Sequence, residues 1–98
     1  MIVQRFTLQY KNGKWDELVE LAKDGMKNVF PFFSTKFYSM NYGPMNTFVF
    51  DNEFEDMAEL EKLWEQLSAK EEWGLWLAKL DELTTEEGKA ELLTLEVS

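Results

Sequence analysis

The stretch Asn41-Tyr42-Gly43-Pro44-Met45-Asn46-Thr47-Phe48-Val49-Phe50 constrains this chain more than any other. Glycine reaches positive φ without strain and proline fixes φ near a turn value, so Gly43-Pro44 marks a reversal of direction. Residues of high β preference flank it on both sides. The stretch therefore reads as a hairpin joining a strand over about 34–42 to a strand over about 46–54. In the second of these, Asn46, Phe48, Phe50, Asn52 and Phe54 alternate onto one face. A face so rich in phenylalanine must be covered by other parts of the chain.

The rest of the sequence supplies the cover. Ile2 to Tyr10 alternates Ile2, Phe6, Leu8 and Tyr10 against Val3, Arg5, Thr7 and Gln9, a strand with one mostly apolar face. Lys11-Asn12-Gly13-Lys14 makes a turn. Trp15, Leu18, Val19, Ala22, Met26 and Val29 then follow helical spacing, with Asp16 and Glu17 placed where the helix dipole favours acids, so a helix is expected over about 14–28. Pro31 lies in an apolar loop with Phe30, Phe32 and Phe33. Glu55-Asp56 opens a second helix with Met57, Leu60, Leu63, Trp64 and Leu67 inward. Ser68-Ala69-Lys70 breaks it, and helix resumes near Glu71 with Trp73, Trp76, Leu77 and Leu80 as its stripe. Thr84 to Gly88 reads as a polar turn and Lys89 to Val97 as a last strand. The order β-α-β-β-α-β is an α+β, ferredoxin-like split βαβ fold, expected as a single domain over residues 1–98.

Composition removes several functions. The chain has neither Cys nor His, so thiolate chemistry, Cys-ligated zinc, iron–sulfur clusters and the usual haem ligand and neutral-pH base are all missing. No metal site and no cofactor is expected. A formal charge of −9 disfavours nucleic acid and anionic membrane surfaces as partners. No apolar run reaches the roughly 20 residues of a membrane span and no signal pattern opens the chain, so a cytoplasmic protein is expected.

A ferredoxin-like sheet carries its helices on one face, and here the other face is not purely polar: Tyr38, Met40 and Tyr42, Val49, and the Leu92, Leu93 and Leu95 group place apolar side chains on both sides. Two such faces packed together would bury them, which predicts a homodimer. Arg5 on that mixed face needs a carboxylate partner, and Asp51 or Glu53 can supply it; an anion site for a substrate carboxylate is the other reading of Arg5. Arg5, Val49 and Asp51 are the expected dimer-interface residues.

The element order, the Gly43-Pro44-Met45-Asn46 hairpin and the Ala69-Lys70-Glu71-Glu72-Trp73 helix restart resemble the NIPSNAP-like proteins of the dimeric α/β-barrel superfamily. The family pattern commonly reads Gly-Pro-Leu-Asn before the third strand and Ala-Asp-Pro-Glu-Trp at the restart, and the resemblance spans nearly the whole chain. It implies a pair of ferredoxin-like domains packed sheet to sheet as a barrel. Superfamily members include cofactor-independent monooxygenases, haem-degrading enzymes and isomerases. Two departures stand out. Where the family often has His, this chain has Phe50, which removes haem ligation. Where an aromatic often follows, this chain has Asn52.

Candidate ligand-binding residues are Asn46, Phe48 and Phe50 on the third strand, with Asn52 on the same face, Tyr38 on the second, and Trp64, Trp73 and Trp76 as an aromatic lid. An amide among aromatics can hold a carbonyl or phenol oxygen of a planar molecule. The simpler reading makes the tryptophans core, has Asn46 close the hairpin, and has Asn52 prepare the next helix. No residue stands out as catalytic. The expected function is binding of a small apolar or aromatic molecule between sheet and helices. The competing readings are a cofactor-independent monooxygenase or isomerase acting on a quinol-like aromatic, with Asn46, Tyr38 and Trp76 around the pocket, and a purely structural interaction module.

Overall fold

In the computed structural model, which describes residues 1–98, the third strand organises everything else. This strand, β3 (Thr47–Phe54), carries Phe48, Phe50 and Phe54 at 0 %, 6 % and 1 % exposure on one face. Around it the chain forms β1 (Ile2–Tyr10), α1 (Trp15–Asp24), β2 (Ser34–Ser39), α2 (Met57–Ser68), α3 (Glu71–Leu83) and β4 (Thr84–Thr94). The strands make one antiparallel sheet in the order β2-β3-β1-β4, the ferredoxin-like order expected from the hairpin and two helical crossovers.

Register divides the sheet into rungs on the helix-bearing face. One rung runs Thr35–Asn52–Gln4–Leu92, the next Phe37–Phe50–Phe6–Ala90, and the next Ser39–Phe48–Leu8–Gly88. Intervening residues form the opposite, uncovered face, which carries Tyr38, Val49, Asp51, Arg5 and Leu93.

The core is one continuous aromatic cluster with two ends, joined where Phe50 meets Phe37 at 4.9 Å and Phe48 at 5.7 Å. Tyr10, Trp15, Phe37 and Phe48 form one end, with Trp15 stacked on Phe37 at 5.7 Å between ring centroids. Phe30, Phe33, Phe50, Phe54, Trp64, Trp73 and Trp76 form the other, mostly by edge-to-face contacts, which suit the ring quadrupoles. The Phe30–Phe33 loop is part of this core.

Four boundaries differ from the sequence reading: β4 ends at Thr94 rather than Val97, and the other three differ for a physical reason. The first helix ends in a π-helical turn, Gly25–Val29, closed by Phe30 N–H donating to the Gly25 carbonyl. Strand β2 stops at Ser39 because Met40–Asn46 forms a longer connection, with Gly43 at φ 125° and Asn46 at φ 59°. Strand β4 starts directly at Thr84, and the polar Thr84–Gly88 segment pairs with β1 across a bulge between Leu8 and Tyr10. As an edge strand left open on both faces, β4 does not need apolar alternation to pair.

Candidate functional site

Between the sheet and α2–α3 lies a cavity of about 250 Å³. Its floor is built from the rungs: Thr35 and Asn52, then Phe50 and Phe6, then Leu8. Trp64 and Leu67 of α2 and Trp73, Trp76, Leu77 and Leu80 of α3 make the roof, and Phe30 and Phe33 the end wall. The β4 residues on this face, Gly88, Ala90 and Leu92, have no helix over them and stay exposed, so the sheet beside the cavity is open. Leu77, 39 % exposed, lines the cavity and also reaches solvent.

Hydrogen bonds fix the roof. Trp76 Nε1 donates to the Leu21 carbonyl at 2.9 Å, which anchors α3 to α1. Trp64 Nε1 donates to Gln4 Oε1 at 2.6 Å, anchoring α2 to β1. Trp73 and Trp76 lie nearly parallel, with centroids 5.6 Å apart and planes at 12°. Close approach of Trp76 to α1 depends on Gly25, where a Cβ would sit 2.6 Å from Trp76 Nε1 and 2.7 Å from the Phe30 ring. Lys70, at the break between α2 and α3, donates to the Val29 carbonyl and lies 5.4 Å from the Phe32 ring centroid, tying the break to the end of the π turn.

Eleven of the 13 lining residues are hydrophobic and none is ionisable; the polar ones are Thr35 and Asn52, with Thr35 Oγ1 donating to Asn52 Oδ1 at 2.6 Å. Burying an unpaired charge against such walls is strongly unfavourable. The cavity therefore suits a neutral molecule and offers no side chain for general acid–base catalysis.

Of the residues singled out from sequence, the cavity brings together Phe50, Asn52, Trp64, Trp73 and Trp76. Phe48 lies on the same face but is packed solid by Tyr10 and Phe37. Asn46 is outside: it ends the β2–β3 connection at positive φ, with Nδ2 donating to Asn12 Oδ1 at 2.6 Å and its carbonyl accepting from Tyr10 N–H. Tyr38 is on the uncovered face, 45 % exposed. The placement of Asn46 and Tyr38 around one pocket with Trp76 is corrected accordingly: a hairpin end and an outward-facing strand position cannot reach a cavity beneath the helices.

The cavity also takes in Phe6, Leu8, Phe30, Phe33 and Thr35, which sequence alone does not mark as site residues. For Phe30 and Phe33 a signal existed, since a loop carrying three phenylalanines must bury them. Thr35 emerges only from the β2–β3 register.

On the uncovered face, Arg5 Nε and Nη2 donate to the two carboxylate oxygens of Asp51 at 2.8 and 2.9 Å, a bidentate pair within one sheet. Asp51 is buried, and its hydrogen bond raises the Arg5 pKa above the usual guanidinium range. Val49 lies beside this pair on the same face. Lys36 Nζ meets Glu53 Oε1 at 2.9 Å, and that bond likewise raises the lysine pKa. No cluster of acidic side chains able to hold a metal ion is present, and no helix is long and apolar enough to cross a membrane.

Neither a protein-family profile nor a curated protein sequence matches the chain. Solved structures do match over nearly its full length. An uncharacterized NIPSNAP domain protein from Burkholderia xenovorans superposes with TM-score 0.84 at 18% identity, covering 97% of this chain and 94% of that one. A NIPSNAP family protein from Agrobacterium tumefaciens gives TM-score 0.80 at 16% identity, covering 95% and 90%. A putative antibiotic biosynthesis monooxygenase from Nitrosomonas europaea gives 0.75 at 12% identity, covering 99% and 100%. The NIPSNAP resemblance read from the hairpin and the helix restart is thus carried by the whole fold, and the chain has the ferredoxin-like architecture of NIPSNAP and antibiotic biosynthesis monooxygenase structures.

Proposed function

We propose that residues 1–98 form one binding domain that holds a small neutral apolar or aromatic molecule between sheet and helices, and that works in the cytoplasm as a sheet-to-sheet homodimer. The observation that carries the reading is the cavity of about 250 Å³, with 11 hydrophobic lining residues of 13 and no ionisable one. Ligand pockets for drug-sized molecules run to roughly 300–1,000 Å³, so this one suits one or two rings.

Thermal unfolding of the purified chain with increasing naphthalene tests the binding. Ligand that binds only the folded state stabilises it by mass action, so the midpoint should rise with concentration. An unchanged midpoint up to the solubility limit would rule the reading out.

A second reading, a cofactor-independent monooxygenase acting on a quinol-like aromatic, is favoured by the monooxygenase named among the structural neighbours. Without an ionisable lining residue, such a reaction would depend on ionisation of the substrate itself. Oxygen consumption on addition of a naphthalene diol, abolished by filling the cavity with Leu80→Trp, would favour it over simple binding.

A further inference from the structure

The floor of the cavity carries a hydrogen-bond donor that the protein leaves unused. Asn52 is 6 % exposed and its Oδ1 accepts from Thr35, but its Nδ2 donates to no atom of the chain. No fully enclosed polar side-chain atom lacks a partner, so this amide nitrogen is open to free space, and the space that Asn52 lines is the cavity. With Oδ1 accepting from the Thr35 hydroxyl, the nitrogen is the end of the amide left toward the cavity.

The neighbouring donors are already engaged. Trp64 Nε1 is taken by Gln4 and Trp76 Nε1 by the Leu21 carbonyl, and the Thr35 hydroxyl proton by Asn52 itself. Asn52 is therefore the buried lining residue with a donor to give.

We propose that the cavity selects a neutral, planar carbonyl compound of one or two rings, whose oxygen accepts from Asn52 Nδ2 while its rings lie against Phe6, Phe50 and the Trp73–Trp76 stack. This deepens the binding function proposed above and rests on it. A hydrocarbon of the same shape fills the walls but leaves the donor unmet, and a carboxylate brings a charge that no lining group balances.

Calorimetric titration of the full chain with acetophenone, its hydrocarbon isostere cumene, and benzoate separates these cases. Acetophenone should bind about tenfold tighter than cumene, the usual effect of one hydrogen bond to an otherwise unmet donor, and benzoate should not bind. Asn52→Leu should hold cumene and lose the preference. Thr35→Val, which frees the amide to turn its oxygen into the cavity, should weaken the preference too and serves if Asn52→Leu does not fold. Equal affinity for ketone and hydrocarbon, or a preference that survives both substitutions, overturns the carbonyl assignment while leaving apolar binding intact. Failure of cumene and acetophenone alike overturns the binding function itself, and this inference with it.

Discussion

At the scale of single residues, the most consequential side chain is one that is absent. Gly25 sits where α1 passes into the π turn with φ −60°, an ordinary helical value, so its backbone does not require glycine. Space does: the Trp76 indole nitrogen and the Phe30 ring occupy the volume a Cβ would need. Both rings are buried and locked, Trp76 by its bond to Leu21 and Phe30 by edge contact with Trp76 at 5.1 Å. Gly25→Ala should therefore destabilise by about 1–3 kcal/mol, the usual cost of overpacking, despite the better helix propensity of alanine. Urea unfolding reads this directly, and an unchanged or raised midpoint would mean the α1–α3 contact is looser than described. The Arg5–Asp51 pair makes a second residue-scale prediction, of asymmetry. Asp51 is the buried partner and Arg5 the half-exposed one. Arg5→Ala strands a buried carboxylate and should cost more than Asp51→Ala, which leaves a guanidinium free to reach water. Because the pairing raises the Arg5 pKa, its contribution is fully present below the ordinary guanidinium range and lost only above it. Between about pH 7 and pH 10 the difference between wild type and Arg5→Ala should thus stay constant.

At the scale of elements, helix α2 starts from Asp56, whose Oδ1 accepts from Glu59 N–H at 2.8 Å. Asp56→Ala removes this cap and should cost about 1 kcal/mol. In a domain of this size that lowers the unfolding midpoint by roughly 4–8 °C, measurable by calorimetry. The Asp56 signal was legible in sequence, as were the break at Ala69-Lys70 and the phenylalanine face of β3, since each follows from local chemistry that neighbours cannot reverse. The start of β4 was not legible. Beyond the buried Thr84, Thr85–Gly88 is as polar as a turn because neither of its faces is covered, and only pairing with β1 makes it a strand. The same limit applied to the site. Trp64, Trp76 and Phe50 could be found from periodicity along one element, whereas Thr35 beside Asn52 is a fact of register between two strands. Asn46 was placed with Phe48 and Phe50 by alternation, but it turns away at φ 59° before the strand begins.

At the scale of the whole molecule, the two sheet faces can be separated experimentally. The helix-bearing face holds the cavity, and the uncovered face holds Val49, Tyr38 and Leu93 among ion pairs that are each satisfied within one chain: Arg5–Asp51, Lys36–Glu53 and Lys89–Glu91. Charges paired in this way can meet a second copy without leaving an orphan, and the apolar side chains between them supply the attraction. Net charge opposes association, because two copies at −9 each repel. Added salt screens that repulsion more than it weakens the close pairs, so a sheet-to-sheet dimer should tighten as ionic strength rises. Sedimentation should then give twice 11.6 kDa, with the monomer fraction falling as salt increases. Val49→Lys places an unpaired cation at the middle of the face and should yield a monomer of unchanged circular dichroism. Since Val49 does not line the cavity, that monomer should bind naphthalene as tightly as wild type. Loss of binding together with the dimer would instead mean that a second copy helps to shape the cavity.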